Sequence, residues 1–235
     1  MNKKIVYVAE LDQDIDDYIA SIYLHRKNVL DCIVLDPIPK TEEGKIRIDD
    51  LKNMGIRVET KFPSDTEYVF VGGALTSLSQ FIQNHKIKVL CMNGGFVGCN
   101  IVEYPLKKFE GKRYCRTFNF NMDINATEII LKSKNIKDIM LIGKNVCHSI
   151  KNTKINIWKN ESILNDFHAK DEKRMHDLLA CYEGLVEYGF IKGEKYCLYK
   201  NLYPCNNGIK GIYTEWGASE VPTKYRICKM AVNYK

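Results

Sequence analysis

The sequence has no Cys-x-x-Cys pair, no apolar run long enough to cross a membrane, no internal repeat and no low-complexity tract. Each absence excludes something. The nine cysteines, at 32, 91, 99, 115, 147, 181, 197, 205 and 228, lack the ligand spacing of a zinc site, and an odd, scattered set does not read as a disulfide scaffold. Several lie in apolar runs, Cys32 and Cys91 among them, and read as reduced, buried small hydrophobes of a cytoplasmic protein. The first apolar run, Ile5 to Ala9, is too short for a secretory leader or a membrane span, so a soluble chain with no membrane partner is expected. There is no long basic block and no RNA-binding motif. The net charge of +6 therefore reads as a solvated, lysine-rich surface, the alternative being a field that draws in anionic ligands such as nucleotides; nucleic acid is not expected as a partner. No linker interrupts the chain, which reads as one domain over residues 1–235.

What is present is a regular alternation of short apolar strands with helical patterns. Strands are predicted at 4–9, 30–35, 68–71, 87–92 and 139–142. Helices are predicted at 15–24, 48–54, 75–84, 126–132 and 173–188, the second ending at Gly55. The tail after Gly193 reads as short antiparallel strands or an irregular cap. This order predicts an α/β fold, a mainly parallel open sheet with helices on both faces. Ligands of such sheets bind at the C-terminal ends of the strands.

The richest chemistry lies after the first strand. Glu10, Asp12, Asp14, Asp16 and Asp17 place five carboxylates within eight residues. Acids are favoured in a first helical turn, and one or two would need no further reason. Five repel one another and call for a cation or a strong set of donors. Hard oxygen donors suit Ca²⁺ or Mg²⁺, and a carboxylate beside such an ion can take a proton from water.

The loop resembles the N-terminal motif of the nucleoside hydrolase family, D-x-D-P-G-x-D-D, with Asp12, Asp16 and Asp17 on three of its aspartates; Glu10 replaces the leading Asp and Gln13-Asp14 the Pro-Gly. Further segments are similar to that family in the same order. Gly73 to Leu78 resembles G-P-L-T-N-L, Met92 to Gly95 resembles M-G-G, and Gly98-Cys99-Asn100 stands near a G-N. Phe118 to Asp123 resembles the end of E-F-N-x-x-x-D, with Thr117 in place of the Glu, and His176 to Ala180 resembles H-D-P-L-A. Together the segments cover residues 4 to 180 of a chain shorter than usual for the family.

The resemblance implies a Rossmann-like, nucleoside hydrolase-type fold and hydrolysis of an N-ribosidic bond through Ca²⁺-bound water, with Ca²⁺ expected before Mg²⁺. It implies Asp12 as metal ligand and general base, Asp17, Asp177 and the Thr76 carbonyl as further ligands, Asp16, Asn100 and Asn119 on the ribose hydroxyls, and His176 beside the leaving base. It implies a small-molecule nucleoside or nucleotide as partner and a homo-oligomer as the assembly. The neutral Thr117, in a basic chain, further predicts that a 5′-phosphate is accepted. Two alternatives stand beside this reading. One is a protein of the same fold that binds nucleosides or nucleotides without cleaving them, motivated by Glu10, Thr117 and the short chain. The other is a haloacid dehalogenase-type phosphatase, which also places D-x-D after its first strand, as in Asp12-Gln13-Asp14.

Overall fold

The structure is a computed structural model that describes residues 3–12, 15–148, 175–210 and 213–234. Among the described residues, ten strands form one sheet: β1 (Ile5–Ala9), β2 (Leu30–Leu35), β3 (Val58–Glu59), β4 (Tyr68–Val71), β5 (Ile87–Asn93), β6 (Cys115–Arg116), β7 (Ile136–Ile142), β8 (Cys197–Lys210), β9 (Tyr213–Ser219) and β10 (Cys228–Tyr234). Among the described residues, seven α-helices accompany them: α1 (Asp16–Arg26), α2 (Glu42–Asn53), α3 (Thr76–Phe81), α4 (Phe118–Met122), α5 (Ile124–Lys132), α6 (Lys144–Cys147) and α7 (His176–Glu187). The strand order is β3-β2-β1-β4-β5-β7-β10-β8-β9-β6. The run from β3 to β10 is parallel, and β8, β9 and β6 continue it in antiparallel fashion. From β1 the chain winds outward through β2 to β3, then returns to start the other half at β4. The reversal makes the β1/β4 boundary the topological switch point, where open α/β sheets form their ligand crevice.

Successive strand residues face opposite sides, so each apolar strand feeds two cores. Tyr7, Ala9, Phe70, Cys91 and Met140 pack with α1 and α7 on one face. Val8, Val69, Val71, Leu90 and Leu141 pack with α3 and α5 on the other. That second core ends on Trp216, fully buried, whose ring meets Phe120 edge-on at 5.0 Å. Burial on both faces is why these strands read as continuous apolar runs.

The structure adds short elements that were not predicted, β3, β6, α4 and α6, and departs from the predicted ones most at the second helix and in the tail. The second helix begins at Glu42 rather than 48, because the Thr41 side chain accepts from the Gly44 N–H and caps it. Its buried positions are only Gly44, Arg47 and Leu51, too few to show an apolar period at its start. The tail forms antiparallel strands, β8 pairing with both β9 and β10, but they are not set apart from the sheet: β10 also enters it parallel to β7, with Met230 opposite Leu141.

Helix α7 lies close to the sheet through Gly184. A Cβ at this position would fall 2.7 Å from Cys91 Sγ and 2.8 Å from Phe70 Cζ. Gly184→Val is therefore expected to destabilise the fold by about 1–3 kcal/mol through overpacking. Thermal or urea unfolding reads this directly, and an unchanged midpoint would mean that α7 does not rest on β4 and β5 this closely.

Candidate functional site

Three carboxylates meet at the switch point, and each is placed by a different local constraint. Asp16 and Asp17 occupy the first turn of α1, and Asp177 the first turn of α7, some 160 residues later in the chain. Both helices direct their N-termini, with their unsatisfied N–H groups and partial positive charge, at the C-terminal edge of the sheet. All three side chains are buried.

Asp17 is held most firmly. Tyr7 Oη, from the middle of β1, donates to its Oδ1 at 2.5 Å, and the Glu10 N–H donates to its Oδ2 at 3.3 Å. Gly72, just past β4, lies flat against it: a Cβ there would be 1.9 Å from Asp17 Oδ1 and 2.3 Å from Tyr7 Oη. No larger residue at 72 is compatible with this placement. Asp177 Oδ1 accepts from Asn93 Nδ2 at 3.0 Å, at the end of β5. Asp16 and Asp177 lie close enough for each carboxyl to affect the other's titration. Asp16 Oδ1 is buried with no hydrogen-bond partner among the described residues.

The electrostatics follow from this packing. Burial pushes the Asp17 carboxyl well above the usual carboxylate range and the negative charge of Asp16 adds to it, against the opposing bonds from Tyr7 and Glu10. Burial likewise raises Asp177, aided by the charges of Asp16 and Asp17. Asp16 is raised by burial too, opposed by the hydrogen bond from Asp177 and by nearby backbone N–H groups. No lysine or arginine forms an ion pair with any of the three among the described residues.

Beside the cluster is a cavity of about 150 Å³ lined by Asn93, Thr117, Asn119, Lys144, His148 and His176, among others. Asn119 spends both amide hydrogens on backbone carbonyls, Gly72 at 2.6 Å and Asn93 at 2.9 Å, which ties α4 to β4 and β5. The rings of His148 and His176 lie 5.0 Å apart. Thr117 is buried at the cavity wall, its Oγ1 without a partner among the described residues. Lys144 donates to the Arg116 carbonyl at 3.0 Å.

Of the residues expected from the sequence, the structure gathers Asp16, Asp17, Asp177, Asn119 and His176. It does not bring Asp12, Thr76 or Asn100 to them. The Asp12 carboxylate turns to the β2–α2 loop, accepting from Lys40 N, Thr41 N and Thr41 Oγ1 at 2.7–3.0 Å. Burial works to raise the pKa of Asp12, but the bonds from Thr41 and Lys40 outweigh it and leave it below the ordinary value. The Thr76 carbonyl accepts from Ser79 Oγ at 2.8 Å, and its hydroxyl donates to Asp123, which caps α5. Asn100 is exposed and donates to the Ala218 carbonyl at 3.2 Å. Asp14 and Gln13 lie outside the described residues.

Sequence reasoning gave no role to Tyr7, Asn93, Lys144 or His148. Asn93 carried a usable signal, a polar residue closing an apolar strand at the ligand-binding edge. Tyr7 carried none, since inside an apolar strand it reads as core. Among the described residues, no three His, Cys, Asp or Glu side chains are arranged, as they stand, to hold a metal ion. The donors themselves suit a hard cation: three buried carboxylates, one with an orphaned oxygen, and no cationic side chain paired with them.

Comparison with known proteins adds the following. No family model matches the chain. A protein of Aquifex aeolicus (strain VF5), described as uncharacterized, is 31% identical over 166 residues, covering 64% of this chain and 54% of that protein, so the match spans about half the length of this curated relative. Among solved structures, an inosine-guanosine nucleoside hydrolase superposes with a TM-score of 0.56 over 100% of this chain and 95% of its own, at 13% identity. At that identity the likeness is one of fold: the chain has a sheet and helices arranged as in a nucleoside hydrolase.

Proposed function

We propose that the chain hydrolyses the N-glycosidic bond of a ribonucleoside or nucleotide, releasing the free base, at a divalent cation site built from Asp16, Asp17 and Asp177. The observation that carries this reading is the buried carboxylate cluster at the switch point of a nucleoside hydrolase-like sheet. Three desolvated carboxylates without a cationic partner are electrostatically incomplete, and a hard ion, Ca²⁺ before Mg²⁺, completes them. Bound there, the ion supplies Lewis acidity toward water and the ribose hydroxyls.

The chain's own groups account for the rest. Cleavage builds positive charge on the ribosyl ring, which nearby carboxylates stabilise. Asn119 has its amide hydrogens fixed on Gly72 and Asn93, leaving its carbonyl oxygen to accept from a ribose hydroxyl. His176, on the cavity wall, stands where it can give a proton to the departing base. Asp12 can act as metal ligand and general base only if its loop releases it from Lys40 and Thr41. Thr76 and Asn100 would likewise have to move to reach a ligand at the cluster.

The cavity also bears on the 5′ substituent. Lys144, His148 and the neutral Thr117 line it, so a phosphate there meets cationic and hydroxyl groups and no carboxylate on the cavity wall. The turned-away Asp12 favours one second reading, a protein that captures the same ligands intact.

A chromatographic assay of base release from nucleosides and their 5′-monophosphates, with Ca²⁺ or with chelator, tests the proposal. Metal-dependent release is expected, with loss of about 10²–10³-fold in Asp177→Asn. Monophosphates are expected to be the better substrates, and clear preference for nucleosides would sink that part. Stoichiometric binding of intact ligand with no base released would establish the second reading.

Stability against pH tests the cation site without any substrate. A carboxyl whose pKa is raised on folding makes the folded state hold more protons than the unfolded one. Stability is then fullest below the ordinary carboxylate pKa of about 4 and falls as pH rises through the raised value. For Asp16, Asp17 and Asp177, urea midpoints in chelator are expected to be lower at pH 8 than at pH 6, with a shallower fall in Asp16→Asn. Millimolar Ca²⁺ is expected to restore the midpoint at pH 8. A midpoint that rises with pH in chelator, or ignores Ca²⁺, would count against the site.

A further inference from the structure

A second cavity, of about 850 Å³, opens at the other end of the strands. Because β5, β7 and β10 run parallel and side by side, their N-terminal ends line up there. Each is approached through basic residues. Lys86 and Lys88 flank the start of β5, and Lys132, Lys134 and Lys137 surround the turn from α5 into β7. Lys224 and Arg226 precede β10. Seven cations scattered over 140 residues of sequence thus line one hollow, whose own wall supplies a single carboxylate, Glu67.

Some of these charges are already used. Lys88 pairs with Glu67, and Lys132 and Lys224 both pair with Glu128, whose carboxyl they hold down to about 2. Arg226 is committed to the turn, its guanidinium donating to the Ser133, Ile136 and Lys137 carbonyls. Lys86, Lys134 and Lys137 remain, exposed and with no ion pair among the described residues. Like charges gathered this way are self-repelling unless an anion joins them.

We infer that this hollow is a binding site for a short chain of phosphates, free or carried on a nucleoside. Three features select that class. The free donors are lysines, which attract phosphate as point charges; the guanidinium that would read one planar anion in bidentate fashion is occupied. Three separated ammonium groups match several closely spaced negative charges better than one. The cavity also offers no platform for bases: its aromatic ring, Tyr225, is buried, with its hydroxyl donating to Glu128 at 2.7 Å. The site lies apart from the carboxylate cluster, and the inference is independent of the proposed hydrolysis.

Calorimetric titration in chelator tests it, using tripolyphosphate, a nucleoside triphosphate, orthophosphate and a single-stranded oligonucleotide. Tripolyphosphate or the triphosphate is expected to bind at least about tenfold more tightly than orthophosphate, the tighter of the two naming the source. Lys134→Glu combined with Lys137→Glu is expected to weaken it by at least about tenfold, while Lys52→Glu on α2, away from the hollow, changes it less than about twofold. Circular dichroism confirms that the variants fold. Equal loss in the Lys52 variant would reduce the effect to net charge and overturn the site. So would no binding, or tight oligonucleotide binding that tripolyphosphate does not displace.

Discussion

The structure depends most on the burial of Asp17. A carboxylate in the interior costs several kcal/mol unless donors or a cation meet it. Here Tyr7 and the Glu10 N–H meet it from the protein side, and Gly72 closes over it. These contacts join β1, the loop after it, α1 and the end of β4, the elements on either side of the switch point. Asp16 and Asp177 then crowd the same space, so that burial raises all three carboxyls and repulsion adds to it at Asp17 and Asp177. The result is a crowded set of buried carboxyls in a packed frame, and the cation proposed for it would offset that crowding.

The frame was largely legible in the sequence. Short apolar strands alternating with helical periods gave the parallel sheet, because burial on both faces removes polar residues from each strand. Helix α2 was half hidden, since its first turn is charged and its start rests on one Thr41 hydroxyl. The place of β10 was not legible at all: local pattern reports that a strand exists, not which neighbour it takes.

The site was legible in part, and unevenly. Asp16 and Asp17 stood out by type and by position at a helix start, Asp177 only through the resemblance, and the fold places the three together. Asp12 shows the limit of spacing arguments. Its neighbours along the chain place it in the same acidic loop, but the amides of Lys40 and Thr41 offer its carboxylate better company than two more negative charges do. Tyr7 shows the converse, a residue that looks like core and is core, yet whose one polar atom orients Asp17.

The position of β10 carries a consequence for how this protein is made. Strand β7, with Met140 and Leu141 in register, receives its neighbour β10 from far downstream in the sequence. Until that segment is synthesised, β7 is a bare parallel edge in a half-built sheet, offering unpaired amides and apolar side chains to any other strand nearby. Parallel pairings across so much sequence form slowly. A nascent chain that has made β7 but not yet β10 therefore carries an open seam of the kind through which half-folded sheets associate.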